Sequence, residues 1–307
     1  MVKTGIRSAI GGILKKQAFQ GVAALFILAG AVIVFAFLFR TKARDLGLKR
    51  ELVELWGEGD YAGACQKSRE ALNQSPMDPL FLTIHGFASY QMAASQINND
   101  RAFEYVGQCV WSLRKALLGK NPDRDGKIRY VLGKAYYIKG PDYADLAVKY
   151  LEEARAARYE AGDLNEYLGQ AYAALRNYQE SVNALRASLS PEEEGSDLLF
   201  LSIAQSYMGL EDWEAARTYL TRCVEISRDA GVALKAKLLL GKVLSGSGDM
   251  DGALAAFEEV LESDENAEAA YELGEIYAAR GDTIKARAAW RRSWRADPNY
   301  TPAQLRL

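Results

Sequence analysis

The residues able to do chemistry are few and poorly matched to one another. One histidine, His85, stands among 307 residues, so no His-pair metal site and no HExxH zinc motif can form within the chain. No serine and aspartate lie at a recognisable triad spacing from it, and it falls on the packing side of an apolar helical stretch, so its role reads as structural. Cys65, Cys109 and Cys223 are odd in number, lack a CxxC pair and have no histidine nearby to lower a thiol pKa; structural thiols are expected. Gly246-Ser247-Gly248-Asp249 hints at phosphate binding but lacks the GK[ST] ending, and Glu192-Glu193-Glu194 follows Ser190-Pro191 as a solvated turn. A basic run of Arg280, Lys285, Arg287, Arg291, Arg292 and Arg295, with Trp290 and Trp294, could be offered to nucleic acid or lipid headgroups. The acidic helix before it, with Glu258, Glu259, Glu262, Asp264 and Glu265, is expected to neutralise that run from within the chain. No catalytic constellation results. The chain is expected not to be an enzyme, to need no cofactor and to bind no nucleic acid.

The elements that carry these residues divide into a basic head and an acidic body. Nine Lys or Arg against the single acid Asp45 occupy residues 1–50, whereas the whole chain carries a net charge of -2, so the remainder is strongly negative. Residues 21–39, GVAALFILAGAVIVFAFLF, are drawn only from Gly, Ala, Val, Leu, Ile and Phe. As a helix they would span about 28 Å, close to a hydrocarbon core, and an all-round apolar helix prefers lipid to a protein interior. The run exceeds a usual signal-peptide core and its AxA, Ala29 to Ala31, sits in mid-run, so an uncleaved signal anchor is expected. The organisation expected is a basic tail over 1–20, a transmembrane signal anchor over 21–39, a helical body over 40–300 and a C-terminal tail over 301–307. Short basic tails are costly to translocate, which favours a cytoplasmic N-terminus and a periplasmic or otherwise extracytoplasmic body.

The body repeats itself. A large apolar residue, a small one and then Tyr or Leu three residues on recur as Leu132-Gly133 with Tyr136, Leu168-Gly169 with Tyr172, Ile203-Ala204 with Tyr207, Leu240-Gly241 with Leu244 and Leu273-Gly274 with Tyr277. A turn follows each: Gly140-Pro141-Asp142-Tyr143, Arg176-Asn177-Tyr178, Glu211-Asp212-Trp213, Gly248-Asp249-Met250 and Gly281-Asp282-Thr283. Gly there suits a left-handed helix end, and Asp or Asn an N-cap. Small-large-small triplets then come at i, i+4 and i+7: Ser181, Leu185, Ser188; Ala216, Leu220, Cys223; Ala253, Phe257, Val260; and Ala286, Trp290, Ser293. Two amphipathic helices per roughly 34 residues make a helix-turn-helix solenoid unit.

This pattern resembles the tetratricopeptide repeat (TPR) family. The fullest copy runs from Ala270 to Pro298, with Leu273, Gly274, Tyr277, Gly281, Asp282, Ala286, Trp290 and Asp297-Pro298 in the family's places. An earlier copy uses Leu52, Gly59-Asp60-Tyr61, Ala64, Ala71 and Pro76, with Ser68 where a bulky residue is usual; no copy carries the early Trp. The fold expected is all-α: the N-terminal transmembrane helix read from the apolar run, followed by the right-handed solenoid of about seven units over 45–300 that the resemblance implies. The second unit stands out, with about a dozen extra residues expected around Gln91 to Asp100 and a second helix, Arg101 to Leu118, outside the triplet spacing.

In that family first helices line a concave groove, which implies a role in holding a partner protein or peptide. The groove stripe is expected to include Phe87, Tyr90, Tyr130, Lys134, Tyr137, Glu166, Gln170, Gln205, Tyr271 and Glu275, with aromatics gathered at one end. A membrane-anchored interaction scaffold in assembly of an envelope complex is the function expected, with a non-catalytic accessory subunit of a cell-wall or polysaccharide machine as the alternative. The full chain should therefore stay with membranes through a high-salt or alkaline wash, and a chain begun at Thr41 should be soluble and helical. Release of the intact chain by the wash would refute the anchor.

Overall fold

A computed structural model describes residues 45–96, 99–119, 121–190 and 194–306. The expected tail 1–20 and anchor 21–39 lie outside the described residues, and among those described no helix is long and apolar enough to cross a membrane. The described residues contain helices and no strand. Seven helix pairs follow one another: α1 (45–57) with α2 (Tyr61–Gln74), α3 (Pro79–Ala94) with α4 (Asn99–Ala116), α5 (Pro122–Ile138) with α6 (Ala144–Ala156), α7 (Leu164–Ala174) with α8 (Tyr178–Arg186), α9 (Asp197–Gly209) with α10 (Trp213–Ile226), α11 (Ala230–Gly246) with α12 (Met250–Ser263), and α13 (Ala267–Ala279) with α14 (Thr283–Ala296). A short α15 (Thr301–Gln304) closes the array.

Each pair is held by one contact type. A methyl group added to Gly133 would come within 2.5 Å of Leu151, and one on Gly241 within 2.6 Å of the Phe257 ring. Gly86 meets Leu113, Gly169 meets Leu185 and Gly274 meets Trp290 in the same way. The small residue of the first helix and the bulky centre of the second-helix triplet are thus one lock, and five of the seven pairs use glycine for it. Two flanking serines join it by hydrogen bonds to backbone: Ser181 donates to the Gly169 carbonyl at 2.7 Å, and Ser293 to the Ala267 carbonyl at 2.6 Å.

The turns follow the same economy. Gly59, Gly248 and Gly281 take positive φ, and Asp60, Asp249 and Asp282 then accept from backbone N–H groups three residues on. Arg176 and Glu211 occupy the equivalent left-handed position at φ near 59° and 58°, where a side chain costs about 1 kcal/mol relative to glycine.

The second pair corrects two expectations. The extra residues expected around Gln91 to Asp100 are spread along two longer helices: α3 runs eight residues past Gly86 where α7 runs five past Gly169, and α4 has ten residues ahead of Cys109 where α8 has three ahead of Ser181. α4 also keeps the triplet spacing, as Cys109, Leu113 and Ala116, all buried. The spacing is preserved because seven added residues are close to two full turns, which returns the same face to α3. In the C-terminal segment 301–306, Ala303 is buried and Arg306 pairs with Glu275 on α13.

Each second helix packs on the next first helix, and consecutive first helices also meet, as α3 with α5, α5 with α7, α7 with α9 and α9 with α11. Second helices do not approach one another as closely among the described residues, so the first helices form the inner row. Gly241→Leu should overpack its lock and cost about 1 to 3 kcal/mol or more. Gln205→Leu, on the exposed side of α9, should stay within about 0.5 kcal/mol. Equal thermal shifts for the two variants would contradict this register.

Candidate binding groove

The chemistry-capable residues are buried in the packing rather than gathered into a site. His85 Nδ1 lies 2.7 Å from the Ser112 hydroxyl, and burial, with the Arg69 charge adding to it, lowers its pKa to about 4, so the ring is neutral at physiological pH. All three cysteines are buried and unpaired; burial pushes the Cys109 thiol well up and the Cys223 thiol to about 11. No group of three His, Cys, Asp or Glu is placed to hold a metal among the described residues. Of the basic run, Arg292 on α14 reaches Glu265 at 3.1 Å and the Leu261 carbonyl at 2.9 Å, while Arg280, just past α13, reaches Asp251 at 2.7 Å. The Arg292 hydrogen bond holds the Glu265 pKa down, and the Arg295 charge also acts on Glu265 in the same direction. Arg287, Arg291 and Arg295 line, with Trp294, a surface cleft of about 980 Å³ at the end of the array.

The inner row carries the predicted stripe, and its aromatic end has an occupant already. Lys134 of α5 lies over three rings: Tyr167 at 4.3 Å, Tyr130 at 5.0 Å and Tyr90 at 5.6 Å. Its ammonium donates to Asp163 at 2.7 Å and to the Tyr130 hydroxyl at 3.0 Å, and Tyr130 in turn donates to Asp163. Tyr137 meets Tyr167 edge to face at 5.4 Å, and Tyr130 packs on Tyr159 at 5.3 Å. One cation, one carboxylate and a ring of tyrosines from α3, α5, α7 and the loop before α7 therefore satisfy one another.

The predicted residues separate into three groups. Phe87 is not on the groove wall: it is 8% exposed, packed 6.0 Å from Trp56 of α1. The stripe drifts inward there because α3 is enclosed on nearly every side, with Phe81 through Ser89 all buried. Tyr90, Tyr130, Lys134 and Tyr137 form the cluster just described, half-buried, and Glu166 beside it has its pKa raised by burial and by the Asp163 charge. At the far end Tyr271 packs on Tyr300 at 5.8 Å and Glu275 holds Arg306 through two contacts of 2.9 and 2.6 Å, so the C-terminal segment covers this stretch of groove. Between these ends lie Gln170, half-buried, and Gln205, exposed. Both occupy the position after the lock residue on consecutive first helices, and neither side-chain amide makes a hydrogen bond within the described residues.

Asp163 and Tyr167 were not singled out from the sequence. Asp163 stands at the N-cap of α7 but makes no capping bond, its carboxylate going instead to Lys134 and Tyr130. Only the fold brings it across 29 residues to Lys134. Burial alone would raise the Asp163 pKa, but the hydrogen bonds from Lys134 and Tyr130 outweigh it and the net shift is downward. Its stabilising contribution is then complete above the ordinary carboxylate value near 4 and is lost as pH falls through the lower folded value. Asp163→Asn should cost about 1 kcal/mol at neutral pH, an amount kept small because the carboxylate is partly exposed. Melting temperatures followed from pH 6 to about 2 should fall less steeply for the variant than for the parent chain.

Comparison with known proteins agrees with this architecture. A profile of the tetratricopeptide repeat-like domain matches residues 150–306, half of the chain. The BBSome complex member BBS4 homolog of Drosophila melanogaster is 26% identical over 187 residues, 58% of this chain and 38% of that protein, so the chain spans little more than a third of that relative. The C-terminal part of a TPR repeat-containing protein from Cytophaga hutchinsonii superposes with a TM-score of 0.58 at 18% identity, covering 84% of this chain and 99% of that one. Cut9–Hcn1, the APC/C hetero-tetramer, gives a TM-score of 0.51 at 16% identity over 82% of this chain and 46% of the other. Identities this low speak for the fold alone. Given the locked helix pairs, the inner row of first helices and a profile match over half its length, the chain belongs to the tetratricopeptide repeat-like domain family.

Proposed function

We propose that this protein is a membrane-anchored interaction scaffold that holds an extended protein or peptide segment along its inner row, in the assembly of an envelope complex. The observation that carries the reading is the pair of unpartnered amides, Gln170 and Gln205, on neighbouring first helices. A glutamine offers both a donor and an acceptor, which suits the alternating N–H and C=O groups of an extended backbone. The aromatic end and the C-terminal end are already occupied by Lys134 and by Tyr300 with Arg306, leaving the middle of the row for the partner.

The name of the curated relative, a BBSome complex member homolog, supports a part in a multi-protein assembly. The apolar run 21–39 supports anchoring in the bilayer, and the four basic residues ahead of it support a cytoplasmic N-terminus with the solenoid outside.

Affinity purification of the full chain from its native membranes, with mass spectrometry, identifies the partner. Gln170→Ala with Gln205→Ala should then weaken its capture at least tenfold, about 1.4 kcal/mol, while the melting temperature stays almost unchanged. Undiminished capture places the partner elsewhere. Protease added outside sealed cells should digest the solenoid, and full protection would reverse the orientation.

A further inference from the structure

The first two helix pairs expose several large apolar side chains, Val53 and Phe103 among them, and four of these lie toward one end. Lys49 of α1 pairs with Asp78 at 2.7 Å and lies 5.4 Å from the Phe81 ring, which sets the start of α1 beside the start of α3. Gly119, just past α4, comes against Pro79, where an added methyl group would stand 3.7 Å from the ring. The beginning of α1, the α2–α3 turn and the end of α4 thus share one end of the molecule. Leu46 is 54% exposed there, Met77 53%, Leu118 72% and Trp111, which lines one surface cleft with Leu118, 49%. Arg50 is exposed beside Leu46, and Lys115 holds its ammonium 3.7 Å over the Trp111 ring.

Large apolar residues standing out of a folded surface need a cover. Tryptophan with lysine and arginine around aliphatic side chains is the composition that settles at a membrane–water interface, the ring at headgroup depth and the cation toward phosphate. The position of the edge selects the bilayer over a soluble partner. Six chain steps separate Phe39, the last residue of the apolar run, from Asp45, the first described residue of α1, and that length reaches no more than about 22 Å. An anchor in residues 21–39 would therefore hold this edge at the headgroup layer.

We infer that the edge formed by Leu46, Met77, Trp111 and Leu118, with Arg50 and Lys115, rests on the bilayer interface and fixes the tilt of the solenoid on the membrane. The inference rests on the anchor reading. Full-length protein is reconstituted into vesicles of phosphatidylcholine and phosphatidylglycerol whose acyl chains carry bromine near the headgroup, and tryptophan quenching is measured after flotation through an alkaline gradient. Quenching is expected, and Trp111→Phe should reduce it at least about twofold, because an interfacial ring lies within contact of the bromines. Leu118→Gln should lower it in the parent background by loosening the same contact. Co-flotation without quenching overturns the interfacial edge and leaves the anchor standing. Quenching that survives Trp111→Phe but falls with Trp294→Phe moves the contact to the opposite end and also overturns it. Failure to float refutes the anchor, and the edge with it.

Discussion

The whole structure depends on how closely two helices can approach at one point per pair. Where Gly133 faces Leu151, Gly169 faces Leu185 and Gly241 faces Phe257, no side chain stands on the first helix, so the second helix's bulky residue lies against bare backbone. The contact is dispersion and apolar burial with almost no directional content, and its precision comes from volume: a single added methyl group has nowhere to go. Fixing that point leaves each pair with defined outer faces. One receives the next first helix, and the other becomes the inner row.

Because the lock is local, a pair can grow away from it without disturbing its neighbours. The second pair adds helix on the far side of Gly86 and Cys109 and keeps His85 against Ser112 and Leu113 against Gly86. Solenoids tolerate such changes since each unit answers only to adjacent ones. The same locality explains the ends. Beside α13 lie α15 and Arg306, which pairs with Glu275.

The aromatic cluster illustrates how a groove can be filled by its own protein. Three tyrosines around Lys134 would make a cation-binding cage if the cation came from outside; here α5 supplies it and the loop before α7 supplies the counter-charge. Burial pushes the Tyr90 and Tyr130 phenols well up, and the neighbouring Tyr167 and Asp163 reinforce the shift, so both stay protonated and keep donating. The cluster ties α3, α5 and α7 together across the inner row, which is a stabilising role in a place where the sequence pattern suggested a binding one.

The repeat, the helix pairs, the turn chemistry and the lock positions were legible in the sequence, because each is set by residues within one unit: a small residue at a fixed place, a bulky one in the partner helix, a Gly or Asp between them. Cys109, Leu113 and Ala116 were the exception. An added length close to two turns preserves the face while shifting every position count, so the spacing was hidden from a reading by offset. The stripe itself was also legible, and it placed Gln170 and Gln205 on one row. What only the tertiary structure decided was which of its residues remain open. That depends on contacts across units and on segments far away in the chain: Trp56 on Phe87, Asp163 on Lys134, Arg306 on Glu275. Periodicity reports which face a side chain is on. Whether something already lies against that face is fixed by the packing of neighbours, and no local pattern carries it.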